Sequence, residues 1–142
     1  MEDKRVIEIL DGNELIAQIY DLNTSGGVFF PTPDTAEFQC GFGTVTETKN
    51  VIPHLHNEVE RQVINTSEFI LVLEGQLDVN FIAPDGHSLG SYSLKKLEGF
   101  LQFKGGHSIF IEAGTKYIEL KQGPYLGHVH DKTILKDWSK KK

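Results

Sequence analysis

Along most of the chain, apolar and polar residues alternate with the two-residue period of a β-strand. Turn residues such as Pro84-Asp85-Gly86, a good hairpin tip, separate these runs. Short strands at near-even spacing, with almost no helical period, are typical of a sandwich or barrel. The pattern predicts strands at Val6–Leu10, Leu15–Tyr20, Phe38–Thr48, Val51–His56, Glu68–Glu74, Leu77–Ile82, Ser88–Leu94, Gly99–Phe103, His107–Ala113 and Lys116–Lys121.

Only the C-terminal tail has a helical pattern. Between Asp131 and Lys140, Ile134, Leu135 and Trp138 fall on one face of a helix. A length of 142 residues suits one domain, and no repeat or linker divides the chain. We therefore expect a single domain, 1–142, with N-terminal strands and a loop (1–37), a barrel (38–125) and a tail (126–142).

The strand that begins at Glu68 is apolar on both faces. Ile70 and Val72 share the face of Glu68, and the residues between them are apolar as well. Another sheet, the N-terminal strands or a second subunit must cover the second face, because a face in contact with water would carry polar residues. The pattern predicts a layered structure and favours a homodimer.

Composition and charge narrow the functional classes. Apolar residues make up 39% of the chain, and the formal net charge of -6 gives nucleic-acid binding little electrostatic basis. The chain begins without a long apolar segment, and nowhere do about 18 apolar residues run together. One cysteine, Cys40, excludes an internal disulfide and suits a reducing compartment. We therefore expect a cytoplasmic protein that binds neither nucleic acid nor a membrane.

Two histidines separated by one residue are the first candidate metal ligands. On the predicted strand Val51–His56, residues i and i+2 point to the same side, so the imidazoles of His54 and His56 converge. Such a pair can bind one divalent metal ion if neighbouring strands supply further ligands. The alternative is that both are ordinary surface or core histidines.

Glu68 and His107 each begin an apolar strand. A carboxylate in that position is costly unless it is paired or coordinated, and His107 is in phase with the core-facing Ile109 and Ile111. Three histidines and one glutamate on inner strand faces predict a metal cavity. In the alternative, Glu68 lies at an exposed strand end and His107 donates a hydrogen bond to a backbone carbonyl.

The stretch from His54 to Gly75 resembles the first motif of the cupin superfamily. His54-Leu55-His56 stands for its histidine pair, and Glu68 is followed by the six residues FILVLE and then Gly75, as in that motif. An insertion, NEVERQVINTS, separates His56 from Glu68. Of the second cupin motif, only His107 is present.

A narrower resemblance covers about half the chain. EFILVLEG, FIAPDGHSL, HSIFIEAGT and IELKQGPY are similar to segments of small single-domain cupin metalloproteins from bacterial surface-polysaccharide (O-antigen) gene clusters. The resemblance implies an all-β fold, an antiparallel cupin barrel (double-stranded β-helix or jelly roll) with extra N-terminal strands. It implies His54, His56, Glu68 and His107 as the metal ligands. Glu58 is a rival carboxylate, because a continued strand would place it on the face of His56.

The expected function follows from this ligand set. Three imidazoles and a carboxylate suit a divalent Fe, Mn, Ni, Zn or Co ion. The resemblance implies a cupin-fold metalloprotein that acts on or binds a small molecule, such as a sugar or sugar nucleotide of surface-polysaccharide metabolism. An enzyme of this kind would be a metal-dependent oxygenase or isomerase.

Two other functions stay open at this point. One is a non-catalytic small-molecule binding or sensor module. The other is a metal-free sugar-nucleotide isomerase or epimerase with a histidine as general base, in which Glu68 and His54 form the base and its orienting partner. A second His-x-His pair, His128 and His130, follows the last predicted strand, and we expect it to be exposed or at an interface.

Overall fold

A computed structural model describes residues 3–135 as two antiparallel β-sheets. The all-β prediction is therefore confirmed. In chain order the elements are β1 (Val6–Asp11), β2 (Glu14–Asp21), β3 (Glu68–Glu74), β4 (Gln76–Ile82), β5 (Ser88–Lys95), β6 (Glu98–Gln102), β7 (Gly106–Ile111), β8 (Lys116–Lys121) and the short helix α1 (His128–Asp131).

The larger sheet has the strand order β1-β2-β6-β3-β8, and the smaller one has the order β5-β4-β7. Between β3 and β8 the chain changes sheet four times: at Gly75, at 96–97, at 103–105 and at the turn 112–115. Thr115 ties the first and last of these crossings together, because its hydroxyl accepts a hydrogen bond from Gln76 N (3.1 Å) and donates one to Gln76 O (2.9 Å).

The main core lies between the two sheets. Alternate residues of each strand point inward, as the two-residue period predicts. Phe81 of the smaller sheet meets Phe100 of the larger one edge to face, with ring centroids 5.2 Å apart. Such a pair stabilises the fold by about 0.5–1.5 kcal/mol beyond its burial. The buried members of this core are Ile9, Ala17, Ile19, Ile70, Val72, Leu77, Val79, Phe81, Leu94 and Phe100.

The outer face of the larger sheet is covered by the loop 22–42. Phe38, Cys40 and Phe42 of this loop pack against the buried Tyr20 and Leu101. The second apolar face predicted around Glu68 is thus covered by an irregular segment of the same chain.

Arg5 holds this loop in place. Its guanidinium lies 4.3 Å from the ring centroid of Phe29 and 5.4 Å from that of Phe42. It also donates hydrogen bonds to Gly27 O and to the carboxylate of Asp3. A cation over aromatic rings is stabilised by their negative faces, so Arg5 fixes the loop to the start of β1.

Two predicted strands, Phe38–Thr48 and Val51–His56, are wrong. The structure has only an isolated bridge between Phe29 and Phe42 in this region. At residues 38–42 the alternation reflects packing of one side against the sheet, without the ladder of hydrogen bonds that defines a strand. Residues 43–66 are exposed at every position.

The tail helix predicted from Asp131 to Lys140 is also wrong where the structure describes it. Helix α1 ends at Asp131, because Lys132 adopts an extended backbone (φ −138°, ψ 151°), and residues 132–135 are not helical. Residues 136–140 of the prediction lie outside the described part of the chain. Within residues 3–135, no helix has the length and apolarity required to span a membrane.

Candidate functional site

Two of the predicted site residues meet at one end of the space between the sheets. Glu68 begins β3 on the inner face that it shares with Ile70, and His107 lies on β7 opposite the inward-pointing Phe81. Glu68 Oε1 and His107 Nε2 are 3.8 Å apart, and their side chains are only 19% and 24% exposed. The structure therefore brings a carboxyl and an imidazole together where the core gives way to solvent.

Gln102, the last residue of β6, orients the imidazole of His107. Its side-chain nitrogen donates hydrogen bonds to Lys104 O (3.0 Å) and Gly106 O (2.7 Å), so its Oε1 is left to accept. His107 Nδ1 lies 2.6 Å from that oxygen and therefore carries the proton that is donated to it. In the neutral ring, Nε2 then presents its lone pair towards Glu68.

The protonation states of the pair follow from burial and from a neighbouring carboxyl. Burial, followed by the hydrogen bond and negative charge of Glu119 on β8, raises the pKa of Glu68 to about 7. Burial lowers the pKa of His107 from its usual value of 6.5. Near neutral pH, the imidazole is therefore mostly unprotonated, while about half of the Glu68 carboxyls keep their proton.

A cavity of about 400 Å³ opens onto this pair. Its volume falls within the usual range for sites that bind small molecules. Lys121 of β8 lies in its wall with its Nζ 3.6 Å from the carboxylate of Asp131. The residues that line the cavity include Glu68, Gln102, His107, Lys121 and Asp131.

The other two predicted ligands lie elsewhere. His54 and His56 belong to the exposed stretch 43–66, where their ring centroids are 5.1 Å apart and His54 Nδ1 contacts Ile52 O at 2.8 Å. Neither ring lines the cavity, and the rival carboxylate Glu58 is exposed in the same stretch. Among residues 3–135, no three His, Cys, Asp or Glu side chains form a group that could hold a metal ion.

The predicted second His-x-His pair is exposed. His128 and His130 lie on α1 and do not line the cavity, although Asp131 at the end of the same helix does. Exposure agrees with one of the two expected positions for this pair.

Three residues of the site were not identified from the sequence. Gln102 had one available signal, because it is a lone amide in an otherwise apolar strand. Glu119 and Lys121 had none, because only the pairing of β8 with β3 places them opposite Ile70 and Glu68.

The arrangement can perform acid–base chemistry. A protonated carboxyl and a neutral imidazole with a free lone pair face the same cavity, next to the side chain of Lys121. Comparison with known proteins finds no family model, no curated protein and no solved structure that matches the chain.

Proposed function

We propose that the cavity binds a small polar molecule and that Glu68 and His107 move a proton on it. The observation that carries this proposal is the 3.8 Å approach of Glu68 Oε1 to His107 Nε2 at the base of the cavity. A sugar or sugar derivative with a carbonyl group is the substrate class, so the reaction is an isomerisation or epimerisation.

Each residue has one role in this reaction. His107 Nε2 removes a proton from the carbon next to the substrate carbonyl, while Glu68 donates its own proton to the carbonyl oxygen. An enediol results. His107 then returns its proton to one of the two carbons while the Glu68 carboxylate takes the hydroxyl proton from the other, which gives back the substrate or gives its isomer. Gln102 keeps the proton of His107 on Nδ1, and no further reactant is required.

Lys121 adds a positive charge to the cavity wall. Its ammonium group can pair with a carboxylate or phosphate of the ligand, since its contact with Asp131 is a loose 3.6 Å. The proposal therefore favours ligands that carry an anionic group, as sugar phosphates and sugar nucleotides do.

A divalent metal centre is the second candidate. One observation favours it: Glu68 and His107, two of the four ligands expected from the cupin resemblance, lie together. As they are placed, the described residues do not fit such a centre, because His54 and His56 are in the exposed stretch and no third ligand joins the pair. The proton transfer above therefore uses only side chains of the chain itself.

Deuterium exchange tests the proposed function. The protein is incubated in D₂O with a panel of aldoses, ketoses and their phosphates, and loss of the proton next to the carbonyl is followed by ¹H NMR. We expect exchange with one class of sugar, slowed about 100- to 10,000-fold in His107→Gln and in Glu68→Gln. The rate should fall above about pH 7, where Glu68 loses its proton, and at acid pH, where His107 gains one.

His87→Ala is the matched control, because His87 is an exposed histidine at a hairpin tip outside the cavity. It should exchange at the wild-type rate. Ligand binding without exchange would instead indicate a binding or sensor module. Exchange that persists in both site variants would contradict the roles assigned to Glu68 and His107.

A further inference from the structure

One side of the two-sheet structure is open. Within residues 3–135, β7 pairs only with β4 and β8 pairs only with β3, so each sheet ends in an unpaired edge. The turn 112–115 joins these two edge strands, which places both edges on the same side. Unpaired edges expose backbone N–H and C=O groups that readily bind another strand.

The open side also exposes apolar side chains. Phe110 on the outer face of β7 is 67% exposed, and its neighbours along β7 and β8 are exposed to lesser degrees. Exposed apolar residues that gather on one side of a domain mark an interaction surface more often than a free surface. On this side they are Phe110, Ile111, Tyr117, Ile118 and Leu120.

A segment of the same chain has matching properties. The exposed stretch 43–66 carries seven large apolar residues and forms no element of its own. Within it, residues 51–56 alternate as a strand does, and Leu55 is 92% exposed. The apolar residues of the stretch are Val45, Val51, Ile52, Leu55, Val59, Val63 and Ile64.

We propose that residues 51–56 of a second copy of the chain pair with the free edge of β7 and close the open side. In the described chain the stretch does not occupy that edge. Its C-terminal part is instead tied to the covering loop 22–42, where Ile64 N donates a hydrogen bond to Glu37. Within residues 3–135 no strand pairs with this edge of β7, so the stretch of a partner can bind there. In a two-fold dimer each copy then receives the stretch of the other.

Pro53 fixes which side of the added strand pairs. Proline has no backbone N–H, so its side of the strand must face away from β7. The backbone groups of Ile52, His54 and His56 then bond to β7. In an extended strand these three side chains share one face, and Leu55 lies on the other.

Charge complementarity determines which face of the added strand points inward. The inner face of the open side carries the carboxyls of Glu68 on β3 and Glu119 on the neighbouring β8. The stretch carries His54, His56 and Arg61, which can donate hydrogen bonds to these carboxyls. With the histidines facing inward, Leu55 packs on the outside against Phe110. The partner thus completes the cavity wall beside the candidate site.

Cross-linking between two different variants tests this arrangement. Both carry Cys40→Ser; one adds Leu55→Cys and the other Phe110→Cys, and they are co-expressed and treated with a short bis-maleimide. We expect a covalent dimer and, by light scattering, twice the 15.9 kDa mass of one chain for the wild type. Replacing Phe110→Cys by Ser93→Cys, on the exposed far edge of the smaller sheet, should abolish the cross-link.

A charged substitution gives a second measurement. Leu55→Asp should shift the protein from dimer to monomer, whereas Val28→Asp, at an exposed valine in the covering loop, should leave the dimer intact. A monomeric wild type would show that the second copy is not the occupant. The same conclusion would follow if a third variant, with Leu55→Cys and Phe110→Cys in one chain, formed the cross-link only within that chain. A dimer that survives Leu55→Asp would also overturn the proposal. Deuterium exchange reports on the proton-transfer site separately, so either proposal can fail alone.

Discussion

Gln102 is the residue on which the chemistry of His107 depends most. Its amide nitrogen donates hydrogen bonds to the carbonyls of Lys104 and Gly106, and its amide oxygen accepts one from His107 Nδ1. The tautomer of the imidazole is thus set by a backbone turn just after β6. A buried amide with several partners of this kind also contributes to the stability of the fold, because each partner would otherwise be left unsatisfied.

Gln102→Leu tests this role. The substitution keeps the volume of the side chain but leaves the Lys104 and Gly106 carbonyls and the His107 N–H without a partner. We expect the free energy of unfolding, measured by urea titration, to fall by about 1–3 kcal/mol. Gln76→Leu is the control, since the Gln76 amide makes a single long hydrogen bond to Asp78, and it should change stability by less than about 0.5 kcal/mol. Equal effects in the two variants would contradict the assignment.

At this scale the sequence predicted the pair but not its surroundings. Glu68 and His107 could be identified because each is a polar residue at the start of an apolar strand. A polar group that is buried there is costly unless it has a partner, so it indicates a site. Glu119 and Lys121 occupy a strand with no such signal, and only the register between β8 and β3 brings them to the site. The ligand roles predicted for His54 and His56 stay a prediction.

At the scale of elements, the crossing at Gly75 positions the site strand β3 against the smaller sheet. Gly75 has φ +87°, and a Cβ added there would lie 2.6 Å from Thr115 Oγ1 and 2.8 Å from Thr115 Cα. Glycine is therefore required both for its backbone conformation and for space. The hydrogen bonds between Gln76 and Thr115 depend on this close approach.

Gly75→Ala and Gly114→Ala separate the two requirements. Gly114 has a similar φ of +83°, but an added Cβ would meet nothing within 4 Å. We expect Gly114→Ala to cost about 1–2 kcal/mol of unfolding free energy for the left-handed backbone alone. Gly75→Ala should cost about 1–3 kcal/mol more, because overpacking adds to that cost. Thermal or urea unfolding of the two variants side by side measures the difference, and equal losses would rule out the steric contact with Thr115.

The eight strands of the structure were predicted from sequence to within two residues at each end. In these strands, apolar and polar residues alternate and glycine or aspartate turns follow, so both patterns indicate the same strand ends. The two wrongly predicted strands, Phe38–Thr48 and Val51–His56, also show alternation, but they do not pair with another strand of the described chain. Residues 38–42 use the alternation to cover a sheet face, and residues 51–56 contain Pro53, which cannot join the interior of a sheet. Alternation of apolar and polar residues indicates that one face of a segment is covered. It does not indicate whether the segment pairs in a sheet or which part of the protein covers that face.

At the scale of the whole molecule, the site lies at the open side of two sheets that do not close on themselves. This places the Glu68–His107 pair between the core and a cavity wall that includes Lys121 and Asp131, beside the unpaired edge of β7. The all-β architecture is established, whereas the single-domain boundaries, the cupin assignment, the homodimer and the cytoplasmic location stay predictions. The proposed function depends on one claim: the folded chain holds Glu68 as a protonated carboxyl beside a neutral His107.

The pH dependence of stability tests that claim most directly. The free energy of unfolding is measured by urea titration from pH 4 to 9 for the wild type and for Glu68→Gln. The folded state raises the pKa of Glu68 from 4.5 to about 7, so the folded protein binds more protons than the unfolded chain between these values. The contribution of Glu68 to the free energy of unfolding is therefore fully present below pH 4.5 and is lost as the pH rises through 7.

His107 is present in both proteins and has the opposite dependence, because its lowered pKa costs stability as the pH falls through 6.5. The difference between the two proteins therefore isolates Glu68. We predict that the wild type loses stability relative to Glu68→Gln as the pH rises from 4.5 to 7, and that the difference is constant above about pH 8. A difference that does not vary with pH, or one that grows in favour of the wild type, would contradict a protonated Glu68 and with it the acid–base site.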